Sequence, residues 1–392
     1  MHILFAYKQF PAPSVGHAGG EALFRLMEAL HRRGHRLTLV ARIRDEELTH
    51  LPVVRSICEG VYTVPHHRSL AGPRPLAFAR SYIALRGAIR RAIRTEAPDF
   101  VHVETTQTAL TALGLCRVPC SYRTQDVNWF LAGQQLAQLH GARRWPVWIR
   151  WAFLRMIEPW ICRKYDLVLA ISEGDRALLA QACAQGRIDV VPLTPAVRAA
   201  RGHGAAVAGE ANVLFVGAMS RDHNVSGIVW FLDHVWPIVA RQVPEARLYI
   251  VGRDPPVSLQ ARMDPPGVVV TGAVDDLAPW YRAAAVFVSP LLVAGGLLQK
   301  VMDAMAMGVP VVATCVCNHG IGAVPGEHLV IADDPEHFAY AVVGLLKDPS
   351  ERSRIATAAQ QFVVERYDLE VAVDRFDRSI HNLVADYVRR RA

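Results

Sequence analysis

The sequence predicts an α/β protein with two domains, each a parallel sheet flanked by helices. Short apolar runs of four to six residues alternate with longer amphipathic runs, which is the order that βαβ units require. At 392 residues the chain exceeds the usual size of a single hydrophobic core. Residues 196–211 are small, contain glycine and lack periodicity, so we interpret them as a linker. The expected domains are therefore 1–195 and 212–368, followed by a helical segment, 369–392.

The first half opens with a predicted βαβ unit. Ile3–Tyr7 is an apolar strand, Glu21–Arg33 has leucines three and four residues apart, and Leu37–Ala41 is the next strand. The loop before the helix is rich in glycine, which allows close approach of a ligand to the backbone. Its candidate ligand-facing glycines are Gly16, Gly19 and Gly20. Later predicted elements of this half are two basic helices within 68–94 and strands at 99–103 and 167–171.

Glu104 is the first candidate site residue of this half. It follows the strand 99–103, and ligands of open α/β sheets bind beyond the carboxyl ends of the strands. His102 lies within the same strand between two valines, so we interpret it as an interior residue with a hydrogen-bond partner. The prediction is a polar site at the end of this strand.

The segment Arg143–Lys164 has two interpretations. It holds four of the eight tryptophans and six Arg or Lys residues, with Ile149, Phe153, Met156 and Trp160 on one helical face. Aromatic residues among arginines are typical of a helix at a membrane surface. The alternative, which we favour, is an internal helix that packs on the first sheet and is broken at Pro159.

The second half contains the most informative stretch, Val288–Pro325. An apolar strand precedes Gly295 and Gly296, and a predicted helix, Leu297–Met307, leads into another strand. The N–H groups at the start of such a helix suit an anion such as a diphosphate. Lys300 and Asp303 lie three residues apart and hence on one helix face, where they would meet a phosphate and ribose hydroxyls. Other predicted strands are 213–216, 248–252 and 268–272.

Composition and charge restrict the class of partner. Hydrophobic residues make up 52% of the chain and charged residues 20%, as in globular proteins. Net charge is +7, and residues 1–200 hold 26 Lys and Arg against 15 Asp and Glu. A basic first half favours an anionic partner such as a membrane surface or a lipid phosphate, although arginine-rich composition alone would also produce it. No nucleic-acid-binding module is recognisable, and seven scattered cysteines indicate reduced thiols and a cytoplasmic protein.

The run GGLLQKVMDAMAMGVPVVAT, 295–314, carries a family resemblance. It resembles the donor-site signature of the retaining GT-B glycosyltransferases, the family that includes sucrose and mannosyl transferases. Asp303 occupies the second Glu position of that signature, whereas the first Glu position holds Gly295. One branch of the family has an Arg where this chain has Leu298.

Two other segments are similar to the same family. In SYRTQDVNWF, 121–130, Arg123 and Thr124 match, and Gln125 replaces a His that hydrogen-bonds the transferred sugar in family members. After Gly217 the family's diphosphate-binding Arg and Lys are replaced, which leaves Arg221 and Lys300 as candidates. The donor-binding residues that the resemblance implies are Gly217, Arg221, Gly252, Arg253, Ala273, Val274, Gly295, Gly296, Leu297 and Leu298.

The resemblance implies the GT-B fold, with two Rossmann-like domains facing across a cleft and the helix at 369–392 crossing back to the first. It also implies transfer from a nucleotide-diphosphate sugar to a glycan or lipid-linked acceptor, with retention of configuration and without a metal or cofactor. The candidate catalytic residues are Lys300, Asp303 and Gln125, and Gly16, Gly19, Gly20, Glu104 and Arg123 lie on the acceptor side. The expected location is the cytoplasm, with contact to the inner face of the membrane through the first domain. A catalytically inactive binding protein and a sugar-nucleotide epimerase remain alternatives.

Overall fold

The structure is a computed structural model that describes residues 1–13, 15, 17–70, 73–183, 186–195, 211–260 and 267–390. Gly16 and nearly all of the predicted linker, 196–211, lie outside these ranges. The chain divides into two compact units. The first unit comprises Met1–Thr194 and Leu369–Ala392, and the second comprises Pro195–Asp368.

The first unit contains a parallel sheet of seven strands in the order β3-β2-β1-β4-β5-β6-β7. Apart from the edge strands β3 and β7, these strands are buried on both faces, as expected for a sheet covered by helices on both sides. The strands are β1 His2–Tyr7, β2 Arg36–Ile43, β3 Gly60–Pro65, β4 Phe100–Glu104, β5 Cys120–Arg123, β6 Leu167–Ala170 and β7 Ile188–Val190. The helices are α1 Ala18–Arg32, α2 Leu51–Arg55, α3 Arg74–Glu96, α4 Thr106–Ala112, α5 Asn128–Gln138, α6 Arg144–Cys162 and α7 Glu173–Ala182. Short 3₁₀ segments occupy Asp45–His50, His67–Ser69 and Gly141–Arg143.

The second unit contains a parallel sheet of six strands in the order β10-β9-β8-β11-β12-β13. Its strands are β8 Asn212–Val216, β9 Arg247–Val251, β10 Val268–Gly272, β11 Val286–Ser289, β12 Val311–Ala313 and β13 Val330–Ile331. Its helices are α8 Asp222–Trp230, α9 Trp236–Gln242, α10 Val257–Gln260, α11 Ala278–Ala283, α12 Gln299–Ala306, α13 Cys315–Asn318, α14 Pro335–Lys347 and α15 Pro349–Tyr367. A π-helical turn, Phe231–Val235, connects α8 to α9. The predicted α/β class is thus confirmed.

The last helix, α16 Leu369–Arg389, belongs to the first unit although it follows the second in the chain. Its residues Val373, Phe376 and Ile380 are buried in one core cluster with strand β1 and helix α1. The Phe376 ring stacks on that of Phe5 with a centroid distance of 6.0 Å. The other face of the same sheet carries a second core cluster, formed with α3, α4, α6 and α7.

Two expectations for the first half are wrong. Where a pair of helices was expected within 68–94, the structure has one long helix, α3, which begins at Arg74, because Pro75 lies in its first turn and no further proline follows before Glu96. Pro159 does not break α6, because Ile161 and Cys162 anchor the last turn in the core beneath it. The apolar face of α6 is not internal either: Ile149, for example, is 60% exposed.

Candidate functional site

The candidate site of the second unit lies where the strand order of its sheet reverses. From β8 the chain moves outward to β9 and β10, and then returns to the other side of β8 as β11. Helices α8 and α12 follow β8 and β11, so both begin at the carboxyl edge of these two central strands. Such a switch point is the usual ligand-binding position of a doubly wound sheet.

Lys300 is the central cation of this position. It is the second residue of α12, and its Nζ donates a 2.6 Å hydrogen bond to Asn224 Oδ1 on α8. The same Nζ lies 4.5 Å from the centroid of the Phe215 ring, which belongs to β8. Burial lowers the pKa of Lys300 to about 8. Among the described residues no carboxylate forms an ion pair with Lys300, so its charge is available to an anionic ligand.

Two further basic residues lie at the start of α8. His223 lies in the first turn of α8, directly after Asp222, and Arg221 is the N-cap residue of that helix. Burial, with additional repulsion from Lys300 and Arg221, lowers the pKa of His223 to about 4. His223 is therefore neutral at pH 7 and can donate or accept a hydrogen bond at this edge. The sequence did not single it out, although it stands between Arg221 and Asn224.

Asp303 is buried, with 3% of its surface exposed, on the inner side of α12. Its Oδ1 accepts a 3.2 Å hydrogen bond from Gln299 Nε2. Gln299, the half-buried first residue of α12, therefore connects this carboxylate to the start of the helix. The sequence placed Lys300 and Asp303 on one face, but the two side chains have different partners and different exposure.

The glycine loop before α12 differs from its prediction. The helix begins at Gln299, two residues later than expected, and Leu298 is its extended N-cap residue. Gly296 has a φ of 60°, a left-handed conformation that turns the chain before the helix starts. Gly320 packs directly against this loop. A Cβ atom at Gly320 would lie only 1.8 Å from the carbonyl oxygen of Gly296. Gly295, Gly296 and Leu297 therefore precede the helix and do not form its first turn.

The remaining donor-side candidates follow β8, β9 and β10 at the same edge. The Gly252 N–H donates to Gly272 O at 3.0 Å, and the Met219 N–H donates to Arg253 O at 2.9 Å. Ala273, which is exposed, and Val274, which is half-buried, come directly after β10. These bonds place the residues after the three strands side by side.

Gly252 and Gly217 are in contact at this edge. A Cβ atom at Gly252 would lie 1.8 Å from Gly217 O, a backbone atom that cannot rotate away. We therefore expect Gly252→Ala to destabilise the second unit by about 1–3 kcal/mol, because the strand ends must separate. Urea unfolding of the variant measures this loss.

The matched control for this substitution is Gly344→Ala in α14, where an added Cβ atom meets nothing within 4 Å. In a helix this change is expected to leave stability unchanged or to raise it by up to about 1 kcal/mol. Equal stability of both variants would show that the two strand ends are not in contact.

The first unit carries a buried polar network at the carboxyl ends of β4 and β5. Glu104 is fully buried, and its Oε1 accepts hydrogen bonds from Arg123 Nε at 2.7 Å and from His102 Nε2 at 3.0 Å. Its Oε2 accepts a bond from Gln125 Nε2 at 3.2 Å. Burial alone would raise the pKa of Glu104, but the charge of Arg123 and the bond to His102 outweigh it and lower the pKa to about 2. The His102 Nδ1 pairs with Ser121 Oγ at 2.7 Å, so the interior interpretation of this histidine is confirmed.

Helix α1 meets this network through its first turn. A Cβ atom at Gly19 would lie 2.5 Å from Gln125 Oε1, so a larger residue there would displace the Gln125 side chain from its present position. The Gly20 N–H donates to His17 Nδ1 at 3.0 Å, which caps the helix. The structure thus brings together Gly19, Glu104, Arg123 and Gln125, which the sequence had singled out separately.

A second buried carboxylate, Glu158 on α6, was not foreseen. It accepts hydrogen bonds from Asn128 Nδ2 at 2.5 Å, from the Trp129 N–H at 3.0 Å and from Thr106 Oγ1 at 3.1 Å. Burial raises its pKa despite these donors. The sequence offered one indication of Glu158, because it is the one acidic residue between 127 and 165.

Two features are absent from the described residues, a membrane-spanning helix and a metal-binding cluster. None of the helices in the described ranges is long and apolar enough to cross a membrane. Within the same part of the chain, no group of three or more His, Cys, Asp or Glu side chains is arranged to hold a metal ion.

Two family models match the chain. The model described as Glycosyltransferase Family 4 matches residues 20–193, and the model described as Glycosyl transferases group 1 matches residues 210–348. Together the two matched ranges take in more than half of the 392 residues. The chain belongs to these group 1 glycosyltransferases.

Solved structures agree with this assignment at the level of the fold. A sucrose-phosphate synthase from Thermosynechococcus elongatus superposes with a TM-score of 0.76 at 19% identity, covering 98% of this chain and all of that one. HepE from Anabaena, solved with UDP-glucose, gives a TM-score of 0.68 at 16% identity, covering 97% of this chain and all of that one. The predicted GT-B fold is thereby confirmed.

One curated relative shares sequence with part of the chain. It is an uncharacterized 44.6 kDa protein in the cps region of Klebsiella pneumoniae, 31% identical over 165 residues. The match covers 40% of this chain and 42% of the relative. This chain therefore matches less than half of the length of that relative.

Proposed function

We propose that the protein transfers a sugar from a nucleotide-diphosphate sugar to a glycan or lipid-linked acceptor, with retention of anomeric configuration, at the inner face of a membrane. The observation that carries this proposal is Lys300, a partly buried ammonium group at the switch point of the second sheet. A diphosphate is the anion that such a position suits, because the cation and the N-terminal ends of two helices converge there.

Each of the candidate residues would have a distinct role in sugar transfer. As the bond between the sugar and the diphosphate breaks, the leaving oxygen takes the electron pair, and Lys300 would stabilise the resulting charge. Arg221 is exposed nearby and would contact the same phosphates. Asp303 would act through Gln299, to which it is hydrogen-bonded. In the first unit, Gln125 is proposed as a sugar contact from the family resemblance, and Glu104 would hold Gln125 in place.

The comparisons support the donor and the pathway class. HepE was solved with UDP, with UDP and glucose, and with UDP-glucose, and it shares the fold of this chain. The relative from Klebsiella pneumoniae is encoded in a cps region, which supports a role in cell-surface polysaccharide or glycoconjugate biosynthesis. Retention and independence of metal are proposed from the resemblance in the donor signature.

A panel of nucleotide sugars tests this proposal by thermal shift and by release of nucleoside diphosphate. The true donor should raise the melting temperature and should be consumed faster when an acceptor glycan is present. Binding of a donor without turnover would favour the alternative of a catalytically inactive binding protein. That alternative is considered because Gly295, Leu298 and Gln125 depart from the family pattern. A changed sugar formed without an acceptor would indicate an epimerase.

The lowered pKa of Lys300 predicts a pH dependence of nucleotide binding. Below pH 8 most of the free protein has a charged Lys300 side chain. Above pH 8 this side chain is mostly neutral, so it must take up a proton before it can attract the diphosphate. We therefore expect the affinity for a nucleoside diphosphate to fall about tenfold between pH 7 and pH 9. His223 does not contribute to this change, since its pKa of about 4 keeps it neutral throughout.

Isothermal titration calorimetry measures the affinity at each pH. Lys300→Arg serves as the control, because a guanidinium keeps its charge at pH 9 and should abolish the decline. A decline of equal size in this variant would assign the titration to another group.

A further inference from the structure

Helices α5 and α6 form a hairpin, residues 128–162, that is attached to the first unit only at its base. The two helices pack on each other, and the 3₁₀ turn Gly141–Arg143 lies between them. Burial in α6 is confined to its last turns, at Glu158, Pro159, Ile161 and Cys162. Residues 144–157 contain no buried side chain. The distal part of the hairpin therefore extends from the unit without being covered by it.

The uncovered side of the hairpin is apolar. Large side chains recur at three- and four-residue spacing along α6, which places them on one helix face. Their exposed fractions range from 42% to 67%. This stripe consists of Trp145, Trp148, Ile149, Phe153, Met156 and Trp160. An exposed apolar stripe of this length, three of whose six members are tryptophans, marks an interaction surface.

Between residues 127 and 165, the only charged side chains that the hairpin and the turn after it expose are positive, and the next exposed acid is Asp166. Arg143, Arg144, Arg150, Arg155, Arg163 and Lys164 are all exposed. The one acidic residue between 127 and 165, Glu158, is buried and fully hydrogen-bonded within the base. Arg155 lies 5.1 Å from the ring centroid of Trp129, and Lys164 lies 5.6 Å from that of Trp160. Cations alternating with aromatic rings match the boundary between lipid headgroups and acyl chains.

We propose that the α5–α6 hairpin docks the first unit on an anionic lipid bilayer, with the stripe at the boundary of the acyl chains and the arginines among lipid phosphates. The charge pattern favours a bilayer over a second copy of this chain as the occupant. In a symmetric dimer through the stripe, the six cations would face an equal set without an exposed acid in the hairpin to offset them.

A second basic helix, α3, lies on this side of the sheet and is separated from α6 by α4. Helix α3 packs on the same face of the sheet as α6, and its outer side exposes Arg80, Arg90, Arg91 and Arg94. Leu76 and Ile83, seven residues apart, are also exposed on α3.

The base of the hairpin connects this surface to the acceptor-side network. Asn128 and Trp129 at the start of α5 bind Glu158, which also binds Thr106, two residues after Glu104. A lipid-linked acceptor held in the bilayer would therefore present its head group next to Gln125 and Glu104. This last step rests on the proposed function, whereas docking on the bilayer does not.

Vesicle co-sedimentation of the full chain without any nucleotide sugar tests the docking. We expect binding to vesicles that contain phosphatidylglycerol, weak binding to phosphatidylcholine alone, and weaker binding as salt is raised. Trp145→Ser with Trp148→Ser should reduce binding about tenfold, and Arg144→Ala with Arg150→Ala about thirtyfold. All four positions are exposed, so circular dichroism should show unchanged folding.

Matched controls change the same residue types elsewhere. Arg32→Ala with Arg378→Ala removes two exposed arginines from α1 and α16, on the opposite face of the sheet. Tyr340→Ser removes an exposed aromatic residue of the second unit. Neither control should change vesicle binding. The proposal is overturned if anionic vesicles do not bind the chain, if controls and hairpin variants lose binding equally, or if light scattering shows a dimer that the tryptophan variants dissociate while vesicles have no effect.

Discussion

Replacing Lys300 by Ala should lower the turnover of the donor sugar about a hundredfold or more. The ammonium is held by Asn224 and by the Phe215 ring at the point where the diphosphate would develop charge. One such preorganised donor typically contributes ~2.7–4 kcal/mol to stabilisation of the transition state. The measurement is kcat and KM of the variant with the donor identified by the panel. A group that acts mainly on the leaving charge should lower kcat more than it raises KM.

Lys347→Ala is the matched control for this experiment. Lys347 lies in the last turn of α14 in the same unit and is exposed, so the loss of one lysine there should leave kcat unchanged. Lys300→Arg should retain part of the rate, because its charge persists in a different geometry. Full activity of the Lys300→Ala variant would remove Lys300 from the site.

Replacing Glu104 by Ala should destabilise the first unit by about 3–5 kcal/mol. Arg123 is 1% exposed, and its charge would be left in the interior without the carboxylate that it now binds. The loss is measured by hydrogen exchange of peptides from β1, β4 and β5 in increasing urea, which reports on this unit alone. Below pH 4 the difference between wild type and variant should shrink. The pKa of Glu104 is lowered to about 2 in the folded state, so its contribution is present above the unfolded pKa of about 4.3 and is lost as the pH falls to about 2.

Two comparisons show whether the buried pair is the cause. Glu59→Ala removes the partner of Arg36 in an exposed ion pair of the same unit, and should cost far less stability than Glu104→Ala, because water and salt screen the exposed charges. The double variant Glu104→Met with Arg123→Met should recover most of the stability lost by Glu104→Ala, because no unpaired charge remains. A double variant as unstable as the single one would assign the loss to packing.

The order of strands and helices could be predicted from the sequence because fully buried parallel strands are short apolar runs. Strand β8, predicted at 213–216, is found at Asn212–Val216. The start of α12 could not be predicted, because it depends on the left-handed φ of Gly296 and on Gly320 packing behind it. Neither the backbone angle nor the packing contact can be recognised from the local pattern of residues.

Within the candidate sites, residue types were more predictable than their partners. Lys300 was singled out by its position in a helix, but its hydrogen bond reaches Asn224, 76 residues away. Glu104 and Gln125 were singled out separately, and only the register of β4 with β5, in which Glu104 lies opposite Arg123, brings them into contact. Such pairings come from strand registration, which no single stretch of sequence contains.

The position of α16 has a consequence for synthesis on the ribosome. Val373, Phe376 and Ile380 complete a core whose other members, such as Phe5, are translated first. The second unit lies between them in the chain, so it can fold while the first still has an uncovered apolar groove. Nascent chains that have not yet reached residue 369 should therefore recruit chaperones to that groove, and release should follow once this helix has left the exit tunnel.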